Sequence, residues 1–365
     1  LQNAIAQSRF VLLGEDHGIA QTAQFWSAVC NAAAPEGFHT MAVEEGPVAA
    51  AELENLLHRT DGMAELAKFQ KKFPEAINLY NTREEFEMLQ QCSRATSADF
   101  HLWGLNQEAL GASRLILSRL VGMRLGEQSD AAMQQLLKKN DEAYRKASQT
   151  GRISDLFMIS ADDRELARAA AALQTDGTPE ARSLFASLIE SHEINRISPA
   201  EYSNARRRDH LMKTLFAADY SRATRNTGTP PKVLLKFGAY HVYKGLNPVH
   251  GSGIGNYVAE FAEGQGAQSL HIRLIAVRGS EPIHPRVGQP AQLRSFSLED
   301  DPNSRYLQPM SRNLLPSDWT MFDLRPLRQE FNALVGPGNP ELANLVFGID
   351  ILVVVPEATA DTDIR

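Results

Sequence analysis

Along the chain, short apolar runs alternate with stretches whose apolar positions recur every three or four residues. Residues 9–14 (RFVLLG) form the first such run. They end in glycine, pass through the polar turn EDHG, and lead into AQTAQFWSAVCNAA, whose spacing predicts a helix. The same order recurs at 38–46 (FHTMAVEEG), ahead of a helix-like stretch from about Ala49 to His58, and again at 99–105 (DFHLWGL). Short apolar runs separated by helical stretches are the pattern of crossover units in a mostly parallel sheet. Such sheets bind ligands at the carboxyl ends of their strands, where this chain clusters its polar residues.

From about 108 to 200 the pattern is helical throughout, in ALGASRLILSRLVGMR, SDAAMQQLLKKNDEAYRKASQ and PEARSLFASLIESHEINRI. The expectation is a single domain over 1–365 with a large helical insertion at 108–200, serving as a lid over the site or as plain scaffold. Strand signals then return. EYSNARRRDHLMKTLFAADYS reads as an amphipathic helix with Leu211, Leu215 and Phe216 on its apolar side, PKVLLKFGAYH as a strand with its exit loop, GIGNYVAEFAEG as a helix, and SLHIRLIAVRG as a strand. Residues 281–345 are rich in proline and polar side chains and hold only short elements. IDILVVVPEAT (349–359) predicts a final strand well inside the sheet. The fold class expected is therefore α/β, a mostly parallel sheet flanked by helices.

The 365 residues, 43% of them hydrophobic, are ample for a buried core. A formal charge of −7 with mixed signs argues against a nucleic-acid groove, which needs a concentrated basic stripe, and favours a small-molecule partner. No apolar run reaches the roughly 18–20 residues of a membrane span. Cys30 and Cys92 are the only cysteines, and neither sits in a CxxC pair, so a thiolate zinc site or iron–sulfur cluster is not expected. A disulfide between them stays open. The start at Leu1 fits either a trimmed chain or a mature exported protein, so periplasmic, secreted and cytoplasmic locations all stay open, as does the oligomeric state.

Four groups of residues could carry chemistry. Glu15, Asp16 and His17 crowd between Gly14 and Gly18 directly after the first strand, more titratable groups than a turn requires. A histidine there suits proton transfer from water. Glu44 and Glu45 end the second strand; alternation sends them to opposite sides, with Glu44 inward and Glu45 facing outward or paired with an arginine. His241 closes KFGAYH after an apolar strand. Arg208, in the run Arg206–Arg207–Arg208 followed by Asp209, can hold a carboxylate or a developing negative charge. Parallel crossovers bring strand ends to one edge, so His17, Glu44 and His241 are expected to share a pocket. Taken singly each has a plainer reading, as a solvated turn, a capping carboxylate, a structural histidine or a charged helix face. His39, His58, His101, His192 and His210 carry weaker signals, and Tyr240, Tyr243 and His250 read as wall residues.

In order along the chain, these motifs resemble the erythromycin esterase-like family. That family belongs to a wider EreA/ChaN-like group with haem-binding ChaN-type lipoproteins and TraB/Tiki proteins. The resemblance rests on Gly14-Glu15-Asp16-His17-Gly18, Glu44 in AVEEG, Gly104-Leu105-Asn106, Arg208-Asp209-His210-Leu211-Met212, Lys232 through His241, and Gly255-Asn256-Tyr257. It runs from Val11 to about Thr359. Two departures stand out: the first turn is one residue shorter than GExxHG, and KFGAYH replaces a tryptophan-histidine-asparagine run. The shorter turn resembles the haem-binding relatives, and the altered loop argues against macrolide lactones as the substrate.

The resemblance implies hydrolysis of an ester or related bond with no cofactor. His17 would be the general base, Glu15 or Glu44 would fix its tautomer, and His241 with Arg208 would bind the oxyanion. No GxSxG elbow occurs, which argues against a serine nucleophile. A metal-dependent hydrolase or peptidase would use the same residues as ligands, since two histidines and a carboxylate are a usual zinc set. A haem or iron-ligand binding protein would use Tyr240 or Tyr243 beside His241.

Overall fold

The computed structural model describes residues 1–96, 99–283, 286–314, 319–334 and 340–364, so parts of the 281–345 region lie outside the described residues. The elements run α1 (Gln2–Gln7), β1 (Phe10–Glu15), α2 (Ala20–Ala33), β2 (Phe38–Val43), α3 (Pro47–Leu57), α4 (Gly62–Lys72), α5 (Arg83–Ala95) and β3 (His101–Gly104). Five helices follow without a strand: α6 (Ala112–Gly122), α7 (Glu127–Thr150), α8 (Phe157–Ser160), α9 (Asp163–Asp176) and α10 (Pro179–Asn195). The chain then forms α11 (Tyr202–Thr227), β4 (Lys232–Gly238), α12 (Ile254–Gly264), β5 (Ser269–Ile283) and β6 (Gln292–Ser297). It closes with α13 (Gln308–Ser311), β7 (Thr320–Asp323), α14 (Phe331–Leu334), α15 (Pro340–Gly348) and β8 (Ile351–Ala358).

The fold is α/β, with an eight-stranded sheet in the order β3-β2-β4-β1-β5-β8-β7 and β6 paired to β5. All pairs from β3 to β8 are parallel; among the strand pairs of the described residues only β5–β6 and β7–β8 are antiparallel. The central strands are buried on both faces, which explains why they read as continuous apolar runs. Alternation divides them between two cores: Val11, Leu13, Met41, Val43 and Val353 pack on the α2/α5 side, and Phe10, Leu12, Ala42, Val354 and Phe237 on the α11/α12 side. Helices 6 to 10 assemble a third cluster around Ile116, Leu117, Met133, Phe185 and Leu188. β8 lies inside the sheet between β5 and β7, as its apolar sequence predicts.

Two readings change. The cysteines are bonded, Cys30 on α2 to Cys92 on α5, with their Cα atoms 5.1 Å apart. Each reads from sequence as an isolated helical position, and only the packing of α2 on α5 brings them together. Glu45 neither faces outward nor meets an arginine. It is 2% exposed, and its Oε1 accepts the N–H groups of Asn78 (2.8 Å) and Leu79 (2.7 Å). Alternation does send it away from Glu44, but the side it turns to is also covered by the chain.

Candidate functional site

The order β2-β4-β1 makes neighbours of three strands whose carboxyl ends carry Glu44, Gly238–His241 and Glu15–His17. Glu44 is the meeting point. Its Oε1 pairs with the Arg208 guanidinium and lies 3.6 Å from His241 Nε2. Its Oε2 accepts the Gly238 N–H at 2.6 Å and lies 3.8 Å from His17 Nε2. Arg208 is fixed by a second bond, from its Nε to Asn106 Oδ1 at 2.9 Å, while Asn106 Nδ2 donates to the Glu44 carbonyl at 3.4 Å. On its far side His17 Nδ1 stands 3.1 Å from Glu15 Oε1, and His241 Nδ1 is 3.8 Å from Asp209 Oδ1. The structure thus brings His17, Glu15, Glu44, His241 and Arg208 into one cluster. His17 is its accessible member at 39% exposed, against 5% for Glu44 and 17% for His241.

Beneath Glu15 lies a layer not singled out by sequence reading. Lys236 is fully buried in β4, with its ammonium 2.6 Å from Glu15 Oε2 and 2.9 Å from Glu85 Oε1 on α5. A lysine inside the apolar run VLLKFG was an available signal, because a central parallel strand leaves it no route to water. Glu85 gave none, since REEFE reads as an ordinary solvated helix start.

These contacts set the charge states. Burial alone would raise the Glu44 carboxyl, but His241, Arg208, His17 and the Gly238 N–H reverse this and hold it at about 2. Burial pulls the Glu15 carboxyl up too, and the Lys236 ammonium outweighs it together with His17. The loss of hydration at His17 favours the neutral ring, yet the hydrogen bond it donates to Glu15 and the charges of Glu44 and Glu15 raise its pKa to about 9. Glu85 is pushed by burial to about 8 despite Lys236.

The other candidates lie elsewhere. Arg207 pairs with Glu190 and Glu193, and Arg206 lies over the Tyr202 ring. His192 is buried between the Met158 carbonyl (3.0 Å) and Asp163 (3.1 Å). His101 faces Glu54, and His39, His58, His210 and His250 are exposed on the surface. Tyr240 is exposed, whereas Tyr243 is turned inward against Arg273. A cleft of about 1770 Å³ runs along the edge strand β3 between α10 and α11, rather than over His17. It meets the charged cluster through Asn106, which lines it beside Trp103, Ser187 and Leu211.

The fold has known counterparts. A histidine-to-asparagine variant of the erythromycin esterase EreC, in its open conformation, superposes with a TM-score of 0.66 at 16% identity, covering 100% of this chain and 94% of that one. A succinoglycan biosynthesis protein matches with a TM-score of 0.61 at 15% identity over 100% and 91% of the two chains. A Bacillus cereus protein matches at 0.59, 15%, 100% and 91%. No family model and no curated protein matches the chain. The chain has the erythromycin esterase-like fold.

Proposed function

We propose that this protein is a hydrolase in which His17 activates water against an ester or related bond of a small molecule, without a metal. The observation that carries the reading is the convergence of two imidazoles and a guanidinium on the buried, ionised Glu44, with His17 tethered from behind by Glu15. Glu15, kept ionised by Lys236, accepts the Nδ1–H of His17 and leaves Nε2 free to take the proton of a water. Glu15 and Glu44 then stabilise the imidazolium. Arg208 and His241, on the other side of Glu44, donate to the oxyanion that forms. A positioned base typically supplies about 10²–10⁴-fold, and oxyanion donors a comparable factor. The shared fold with an erythromycin esterase supports the ester class.

The donor set speaks against the metal reading. Both Glu44 oxygens already accept hydrogen bonds, one from a guanidinium that repels a divalent cation. His17, Glu44 and His241 also do not offer ligand atoms that all lie within 4.8 Å of one another; among the described residues only Asp163, His192 and Glu193 do, and Arg196 already pairs with both of those acids. The haem reading has less support, because Tyr243 is engaged by Arg273 away from any axial position beside His241.

Hydrolysis of a simple aryl ester, measured with a chelator present, tests the proposal. His17→Ala is expected to lose about 100-fold or more in kcat/KM. The working form is the neutral ring, and its pKa is raised to about 9, so kcat/KM should climb roughly tenfold per pH unit between 7 and 9 and level above. Unchanged hydrolysis in His17→Ala, or its abolition by the chelator alone, overturns the assignment.

A further inference from the structure

Arg273 stands in β5 opposite Gly14 of β1, one strand away from the His17 loop. Alternation places it on the α11/α12 side, the face to which its neighbour Ile275 belongs. Among the described residues it is one of two buried lysine or arginine side chains, 6% exposed. The other, Lys236, is clasped by two carboxylates. Arg273 has none within ion-pair distance among the described residues. One of its terminal nitrogens donates to the hydroxyls of Tyr243 (2.7 Å) and Tyr306 (2.8 Å), and its Nε is buried with no hydrogen-bond partner. A guanidinium cannot shed its proton, so the fold holds a fixed positive charge that no contact neutralises.

The surroundings specify what would neutralise it. Each phenol oxygen already accepts from Arg273, and the two phenols also hydrogen-bond each other, so one O–H proton of the pair is available to a further acceptor. One free hydroxyl proton and the unpartnered Nε–H of a planar guanidinium remain as donors, which suits an oxygen anion. Asp16, exposed at the strand-end loop beside His17, is the acid that acts on Arg273 most strongly, but it does so from beyond contact. Neighbouring strands lie about 4.8 Å apart, so Arg273 sits one strand spacing from β1, whose end carries the His17 loop.

We propose that Arg273, Tyr243 and Tyr306 form a subsite for an anionic oxygen group of the substrate, a carboxylate or a phosphate. That the anion belongs to an ester cleaved at His17 rests on the function proposed above; that the subsite binds an anion does not.

Two measurements on the full chain separate these claims. The first compares 4-nitrophenyl acetate with mono-4-nitrophenyl succinate, which share a leaving group and differ by a carboxymethyl group, each rate corrected for spontaneous hydrolysis. The succinate ester is expected to have a kcat/KM at least about tenfold higher, through KM, with the ratio falling towards one in Arg273→Gln and several-fold in Tyr306→Phe. Asp16→Asn, which removes a competing negative charge, is expected to increase the ratio. The second titrates the unmodified protein with succinate and with inorganic phosphate by calorimetry. The tighter of the two identifies the group, and its Kd should rise at least about tenfold in Arg273→Gln and fall in Asp16→Asn. If Arg273→Gln does not fold, the opposite shifts expected in the half-buried Tyr306→Phe and the exposed Asp16→Asn decide. Anion binding without turnover of either ester would sink the hydrolase reading and keep the subsite. The subsite is overturned if neither anion binds at millimolar concentration, or if binding is the same in Tyr306→Phe and Asp16→Asn as in the parent.

Discussion

At Gly238 a Cβ would stand 2.9 Å from His17 Nε2 and 3.2 Å from Glu44 Oε2. The absent side chain lets the imidazole and the carboxylate approach over the end of β4, while the Gly238 N–H holds Glu44 in place. Gly238→Ala should therefore push the His17 ring aside and lower kcat/KM by about tenfold or more, because displacements near 1 Å are that costly to catalysis. Its melting temperature should stay close to the parent's, and an undiminished rate would show that the His17–Glu44 approach is unimportant. At this scale the sequence was informative about residues at strand ends. His17, Glu44, His241 and Arg208 are polar groups placed where apolar runs stop, or the third of three arginines of which one had to turn inward. It was less informative about partners. Nothing in REEFE marks Glu85 as the counter-ion of Lys236, because the pairing depends on α5 crossing the far side of β4.

Among the elements, α2 and α5 are tied twice. They pack against each other through the α2/α5 core, which holds Trp26, Val29, Phe86 and Leu89, and the Cys30–Cys92 bond closes a loop with a sequence separation of 62. α2 follows the His17 loop directly and α5 carries Glu85, so the crosslink also holds the two sides of the Lys236 cluster. Chain-entropy arguments give such a loop about 4 kcal/mol of stabilisation. Cys30→Ser with Cys92→Ser, or reduction of the parent, is expected to lower the melting temperature by several degrees. A melting curve indifferent to reduction would mean that the bond does not form in solution. The chain's last stretch adds a second strap: Ala360 bridges to Ile19, and Asp363 to Thr82, so the same two regions are laced together from outside the sheet. Helical periodicity identified helices 6 to 10 correctly as a strand-free stretch, whereas their separate core around Leu117 and Phe185 emerges only from their packing.

For the whole molecule, the notable cost is the number of carboxyl groups held inside. Burial raises Glu45 and Glu108 to about 7, although each accepts two backbone N–H groups. A carboxyl whose pKa is higher folded than unfolded holds its proton more tightly in the native state. Its contribution is therefore fully present below about 4.5 and is lost as pH rises towards 7. Glu45→Gln combined with Glu108→Gln should accordingly raise the melting temperature at pH 8, by about 2 °C or more, and change it little at pH 4. Equal shifts at both pH values would show that the two groups are not protonated in the native state. By itself the sequence determined the alternation of strands and helices, the parallel character of the sheet and the strand-end positions of the polar groups, because periodicity and turn chemistry are local properties. Tertiary structure alone decided that β2, β4 and β1 lie side by side, and hence that Glu44 gathers His17, His241 and Arg208. It likewise decided which buried charges are paired, as Lys236 is, and which is left open, as Arg273 is. Those outcomes depend on strand order and helix crossing, which join residues hundreds of positions apart and leave no trace in the spacing of any one segment.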